Sequence, residues 1–141
     1  MPTRNAEATW EGTLTKGKGT YKAESGSVGG SYNFGTRFED TPGSNPEELL
    51  AAAHAACFSM ALSGQIEKLG GTPQSITTEA ACTVERVGQG FKITTMELRT
   101  RARVSGMDEA KFQEAAQNAK TGCPVSQALA GVDIKLDAAL E

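Results

Sequence analysis

The stretch between Asn45 and Gly70 limits most strongly what this chain can become. Leu49 to Leu62 reads LLAAAHAACFSMAL, apolar nearly all round and interrupted only by His54 and Ser59. Just upstream, Asn45 can cap a helix, Pro46 suits the first helical position and Glu48 completes a capping-box-like pattern. Gly70-Gly71 stops the helix near Leu69. The expected helix has about 24 residues and is roughly 36 Å long. A helix apolar on every side must be buried on every side. A chain of 141 residues builds one domain with one core, too little to wrap such a helix alone. A dimer packing two of these helices together would solve the problem. Ala51, Ala52, Ala53, Ala55 and Ala56 would permit a close crossing. The run from Leu49 to Leu62 falls short of the roughly 20 apolar residues that a bilayer span needs.

Around this helix the pattern is mostly strand-like. Ala6, Ala8 and Trp10 alternate with polar neighbours, KGKG (16–19) turns the chain, and Thr20 to Glu24 returns as a second strand. SGSVGGS (25–31) reads as another turn region. Tyr32, Phe34, Thr36 and Phe38 then alternate with Asn33, Gly35, Arg37 and Glu39, which predicts a third strand with Arg37 opposite the aromatics. Beyond the helix, Ile76 to Val87 is a strand with Ile76, Thr78, Ala80, Cys82 and Val84 on one face. GQG (88–90) makes a hairpin turn, and Phe91 to Val104 returns. Met96, Leu98, Ala102 and Val104 face inward there, and Arg99, Arg101 and Arg103 outward. Phe91 and Ile93 fit the opposite phase, so a bulge is expected near Thr94-Thr95. Residues 107–122 form a polar-faced helix, Cys123-Pro124 opens a short second one, and Val132, Ile134 and Leu136 make a last strand. Strands grouped apart from helices mean α+β, here as a single domain over residues 1–141 without repeat or linker.

The chain is 38% hydrophobic and 22% charged, with a net charge of −3 and both signs interspersed. No basic patch or tail points to nucleic acid, and no basic amphipathic helix points to a membrane surface. The first residues hold no apolar leader stretch. A cytoplasmic protein is expected. The three cysteines, Cys57, Cys82 and Cys123, are odd in number, widely spaced and without a CxxC pair, unlike a secreted disulfide framework or a zinc ribbon. In a reducing compartment a disulfide would be transient, which points to catalysis or sensing.

Each thiol has a bland and a reactive reading. TGCPV sets Cys123 at a helix start, where unpaired N–H groups and the helix dipole lower a thiol pKa. Alternatively, Cys123 is simply a small residue at a cap. Cys57 on its own reads as a buried hydrophobe with a raised pKa. To react it needs a cation nearby. His54 is three residues back on the same helix face, although a lone histidine is more often a satisfied structural group. Arg37 is the other candidate, as an inward-facing arginine. Cys82 reads as core. Glu47 and Glu48 complement the helix dipole, but one acid suffices for capping, so Glu47 could anchor an arginine.

NPEELLAAAHAACFSMAL (45–62), GCPVSQAL (122–129) and NFGTRFED (33–40) together resemble the OsmC/Ohr family, the osmotically inducible protein C and organic hydroperoxide resistance proteins. HAACF and TRFE are closer to the OsmC branch. The resemblance spans essentially the whole chain and implies an OsmC-like fold in an intertwined homodimer, with two active sites at the subunit interface. It implies a thiol peroxidase, acting on organic hydroperoxides in oxidative or osmotic stress defence. Cys57 matches the peroxidatic cysteine, Cys123 the resolving one, Arg37 the arginine that activates the thiolate, and Glu47 the glutamate that holds that arginine. A dihydrolipoyl-type dithiol would be the reductant. No cofactor, metal or haem is implied. Cys82 lies outside these motifs.

Ten residues of straight helix separate Glu47 from Cys57 by about 15 Å. Glu47 must therefore act through Arg37, or the helix must bend, or the glutamate must come from a second subunit. Two other readings compete with the peroxidase. One is a non-catalytic dimer that binds hydrophobic ligands. The other is a metal site built from His54, Cys57 and Cys123, with Glu47 as a further ligand.

Overall fold

The structure, a computed structural model, describes all of residues 1–141. Its contacts resolve into two units, Met1–Leu49 and Leu50–Glu141.

In the first unit, β1 (Ala6–Glu11), β2 (Lys18–Ala23) and β3 (Gly29–Tyr32) form an antiparallel sheet in the order β1-β2-β3. Trp10 and Tyr21 both stack against Tyr32, with ring centroids 5.5 and 6.1 Å apart. The sheet needs glycine at position 19, because a Cβ there would lie 2.6 Å from the Tyr32 ring and 2.8 Å from Trp10. Two expectations are corrected here. Gly29, Gly30 and Ser31 belong to β3 rather than to a turn. Phe34–Phe38 is not a strand but a short helix, α1. The reason is local. The Asn33 side chain accepts from Thr36 N–H while the Thr36 hydroxyl accepts from Asn33 N–H, each at 2.9 Å, a reciprocal cap that closes a helical turn. The aromatic alternation is an accident of spacing, and Phe34 and Phe38 meet instead as an i, i+4 pair, 5.2 Å between centroids.

Helix α2 (Pro46–Lys68) starts as expected, with Asn45 Oδ1 accepting from Glu48 N–H at 2.8 Å. It ends at Gly70, whose φ of +93° suits glycine. At 23 residues it is long and apolar enough, by length and composition alone, to cross a membrane. In this structure its His54, Phe58, Leu62 and Ile66 form a buried stripe at i, i+4 spacing. It is not buried on all sides in the single chain. Ala52, Ala53, Ala56 and Gly64 are exposed, and Met60 is 82% exposed.

The second unit is a three-stranded sheet carrying helices. β4 (Thr72–Val87) and β5 (Gly90–Ser105) form a long hairpin, and β6 (Asp133–Leu140) lies parallel to β5, giving the order β4-β5-β6. The expected bulge is present. Thr83 faces Thr95 and Val84 faces Ile93, leaving Thr94 as the extra residue. Between β5 and β6 come α3 (Glu109–Gly122), capped by Asp108, and α4 (Pro124–Ala128). The core joins Phe58, Leu62 and Ile66 of α2 to Met96, Leu98 and Ala102 of β5 and to Phe112, Ala115, Ala116 and Ala119 of α3. Glu79, Glu97, Arg99 and Lys135 are exposed, as alternation along a half-covered sheet requires.

Candidate active site

Cys57 precedes Phe58 on α2, so the residue that anchors the helix in the core also fixes the thiol beside it. Cys123 is fully buried at the junction of α3 and α4. Its N–H still donates to Ala119 O at 2.9 Å, but its ψ of 128° leaves the helix, and Pro124 starts α4 in a new direction. The junction brings Cys123 Sγ to 2.7 Å from Cys57 Sγ. That is longer than a disulfide bond of about 2.05 Å, and both residues are thiols. The chain thus returns the second sulfur, 66 positions further on, to within bonding reach of the first.

The surroundings treat the two sulfurs unequally. Burial pushes the Cys57 thiol above its ordinary value, and the hydrogen bond and charge of Cys123 push it further, with only Val125 N–H opposing. Burial also works against a Cys123 thiolate. It is outweighed by hydrogen bonds from Cys57, from the N–H and hydroxyl of Ser126, and from Val125 N–H, so the Cys123 thiol lies below the usual thiol range. A negative charge shared by this pair rests more readily on Cys123. Cys57 needs a cation to become the nucleophile.

His54 is not that cation. It is fully buried, its Nε2 lies 2.7 Å from Ser126 Oγ, and its Nδ1 has no hydrogen-bond partner. Burial lowers its pKa and keeps it neutral. Ser126 is the neighbour that sequence reasoning missed. Its signal was its position three residues after Cys123, where a side chain faces back to a helix cap.

In the first unit, Arg37 of α1 and Glu47 in the first turn of α2 form an ion pair. Arg37 Nη2 lies 3.0 Å from Glu47 Oε1, and Nε lies 3.1 and 3.3 Å from the two carboxylate oxygens. Glu47 is buried and Arg37 about one-third exposed. The guanidinium sits 4.9 Å from the centroid of the Phe38 ring. Arg37 also lines a cavity of about 200 Å³ with Trp10, Leu14, Tyr32, Phe34 and Phe38. Arg37 was expected on a strand; it is held instead by the last turn of α1.

Cys82 lies half-buried on β4 opposite Met96, against the core. The metal reading finds no ligand set, since no three His, Cys, Asp or Glu side chains converge as a metal ion requires.

The α+β fold thus sets two thiols, distant in sequence, face to face at a helix junction. The comparisons name the family. Residues 38–137 match the model of the OsmC-like proteins. The chain is 48% identical to peroxiredoxin OsmC of Escherichia coli over 135 residues, 95% of this chain and 94% of that one. It is 36% identical over 97 residues to an organic hydroperoxide resistance protein of Xanthomonas axonopodis, covering 67% of this chain and 66% of the relative. Among solved structures, an organic hydroperoxide resistance protein from Elizabethkingia anophelis superposes with a TM-score of 0.71 at 26% identity, covering 100% of this chain and 98% of that one. This chain belongs to the OsmC-like family.

Proposed function

We propose that this chain is a peroxidase that reduces organic hydroperoxides to alcohols, with Cys57 as the peroxidatic thiol and Cys123 as the resolving thiol. The observation that carries the reading is the 2.7 Å approach of the two sulfurs. A peroxidase role also accords with the peroxiredoxin relative at 48% identity.

In the proposed cycle the Cys57 thiolate attacks the terminal peroxide oxygen. An S–O bond forms, the O–O bond breaks, and the alkoxide takes a proton and leaves as the alcohol. Cys123 thiolate then attacks the Cys57 sulfenic acid, forming the disulfide and expelling hydroxide, which is protonated to water. A dithiol of the dihydrolipoyl type regenerates both thiols by exchange.

Arg37 has the role of stabilising the Cys57 thiolate and donating to the peroxide. A guanidinium is charged at any working pH and its fork matches oxygen acceptors. Glu47 fixes that fork through its paired contacts. The aromatic cavity beside Arg37 suits an apolar alkyl group better than hydrogen peroxide. A homodimer would cover the exposed alanines and Met60 of α2, and the protein would act in the cytoplasm in defence against oxidative or osmotic stress.

Turnover of cumene hydroperoxide by wild type and Cys57→Ser tests the proposal. The expected loss in Cys57→Ser is about a thousandfold or more, as for removal of other catalytic nucleophiles. Equal turnover would overturn it and favour the non-catalytic, ligand-binding reading.

A further inference from the structure

Two side-chain contacts join α2 to the segment that opens α4, and only one of them has a task in the peroxidase cycle. Cys57 Sγ lies 2.7 Å from Cys123 Sγ, and His54 Nε2 lies 2.7 Å from Ser126 Oγ. His54 and Cys57 stand three positions apart on α2, as neighbours on one helix face. Cys123 is the N-cap of α4 and Ser126 its third residue, the spacing at which a cap and its first turn face each other. The order is crossed: the earlier residue of α2 pairs with the later residue of α4. The two segments therefore run antiparallel past each other, joined by two adjacent rungs.

As a device for stability the His54–Ser126 rung is a poor choice. His54 is wholly enclosed and its Nδ1 has no partner, a cost that hydrocarbon would not incur. Phe58, Leu62 and Ile66 continue the same stripe with hydrocarbon. What a buried polar pair supplies is register, because a hydrogen bond has one geometry where apolar surfaces slide. This junction has little else to set its register. α4 has five residues, too few to hold a helix by itself, and Cys123 caps it without a side-chain hydrogen bond. Ser126 is its one buried residue, and Leu129 beyond it is only partly covered. The Cys123 N–H bond to Ala119 ties the cap to α3, not to α2.

We propose that His54 and Ser126 form a permanent, redox-silent rung that keeps Cys123 in line with Cys57 while the sulfur rung opens and closes. Both are positioning residues, and neither gains or loses a proton or an electron. In the closing step Cys123 thiolate attacks the sulfenic sulfur of Cys57. The S–S bond forms, the S–O bond breaks, and hydroxide leaves to be protonated to water. The sulfurs then move from 2.7 Å to a bond length of about 2.05 Å, a shift small enough for the second rung to survive. The role in turnover rests on the peroxidase reading; the alignment of the two thiols does not.

The test uses the full chain carrying Cys82→Ser, equilibrated with mixtures of glutathione and glutathione disulfide. There two protein thiols become one disulfide as one glutathione disulfide becomes two thiols. Ser126→Ala, alone and combined with His54→Leu, is expected to shift that equilibrium about tenfold towards the protein dithiol, or about 30 mV. Ser126→Thr, which keeps the hydroxyl, should stay within about twofold of the parent. The double variant replaces both partners by hydrocarbon, so the urea midpoint of its reduced form should match or exceed that of the parent. An unchanged equilibrium in the double variant would overturn the proposal, and so would a Thr variant shifted as far as the Ala variant. A lowered midpoint would make the rung a stabilising contact and sink the argument from register. If the double variant does not fold, Ser126→Ala against Ser126→Thr decides by the same measure. A parent that pairs its thiols with glutathione disulfide but not with cumene hydroperoxide would remove the peroxidase reading and leave the rung in place.

Discussion

Every buried apolar side chain of the core lies between Phe58 and Cys123, in the Leu50–Glu141 unit. Met1–Leu49 buries only Gly19 and the carboxylate-bearing Glu47. One unit is held by hydrocarbon and presents sulfur. The other is held by sheet pairing, stacked aromatics and an ion pair, and presents a permanent cation. The proposed chemistry divides the same way. The thiol pair sits where the backbone is anchored by a core, which suits atoms that must reach bonding distance. Arg37 sits in the part with least core, so its aim depends on Glu47 and on the cap that folds α1.

This contrast predicts where damage is felt. Phe58→Ala should cost about 3–5 kcal/mol of stability in urea unfolding, the usual price of a large-to-small core change. Trp10→Ala, at a side chain 36% exposed, should cost about 1 kcal/mol or less. Equal losses would break the comparison. Next in size is the ion pair. Glu47→Gln should lower stability by about 1–2 kcal/mol, less than for a fully buried pair because Arg37 is partly solvated. Turnover of cumene hydroperoxide should fall further, by about tenfold or more, since the guanidinium loses its aim. A stability loss with unchanged turnover would confine Glu47 to folding.

A smaller effect concerns pH. The folded state holds His54 below its ordinary pKa, so the unfolded chain binds the extra proton first. Stability should therefore decline as pH falls below about 6.5. His54→Gln should flatten that part of the profile in denaturant melts. The smallest effect is expected at Glu7–Lys22, an exposed pair 3.0 Å apart joining β1 to β2. Glu7→Gln should leave the unfolding midpoint unchanged within error.

Much of this fold was legible in sequence because its signals are local. Asn45, Pro46 and Gly70 bracket α2, and the phase change between Ile93 and Met96 gives away the bulge at Thr94. The strand assigned to Tyr32–Phe38 was wrong because period-two aromatics and an Asn-x-x-Thr cap coincide there, and the cap prevails. Ala52, Ala53 and Ala56 of α2 stay open in the single chain, so the all-round burial expected of this helix calls for the second subunit that the sequence reading invoked. At the site, helix-end chemistry and charge singled out Cys57, Cys123, Arg37 and Glu47, the family resemblance implied their roles, and the structure supplies two contacts among them, Cys57–Cys123 and Arg37–Glu47. No periodicity announces the contact of Ser126 with His54. It joins residues 72 positions apart, and only the turn at Pro124 brings them together.

The claim at the centre of this account is that Cys57 and Cys123 form one redox pair. The direct measurement is to add one equivalent of cumene hydroperoxide to the reduced protein and map its disulfides by mass spectrometry. The account predicts a Cys57–Cys123 bond with Cys82 still a thiol. All three cysteines remaining as thiols would contradict it.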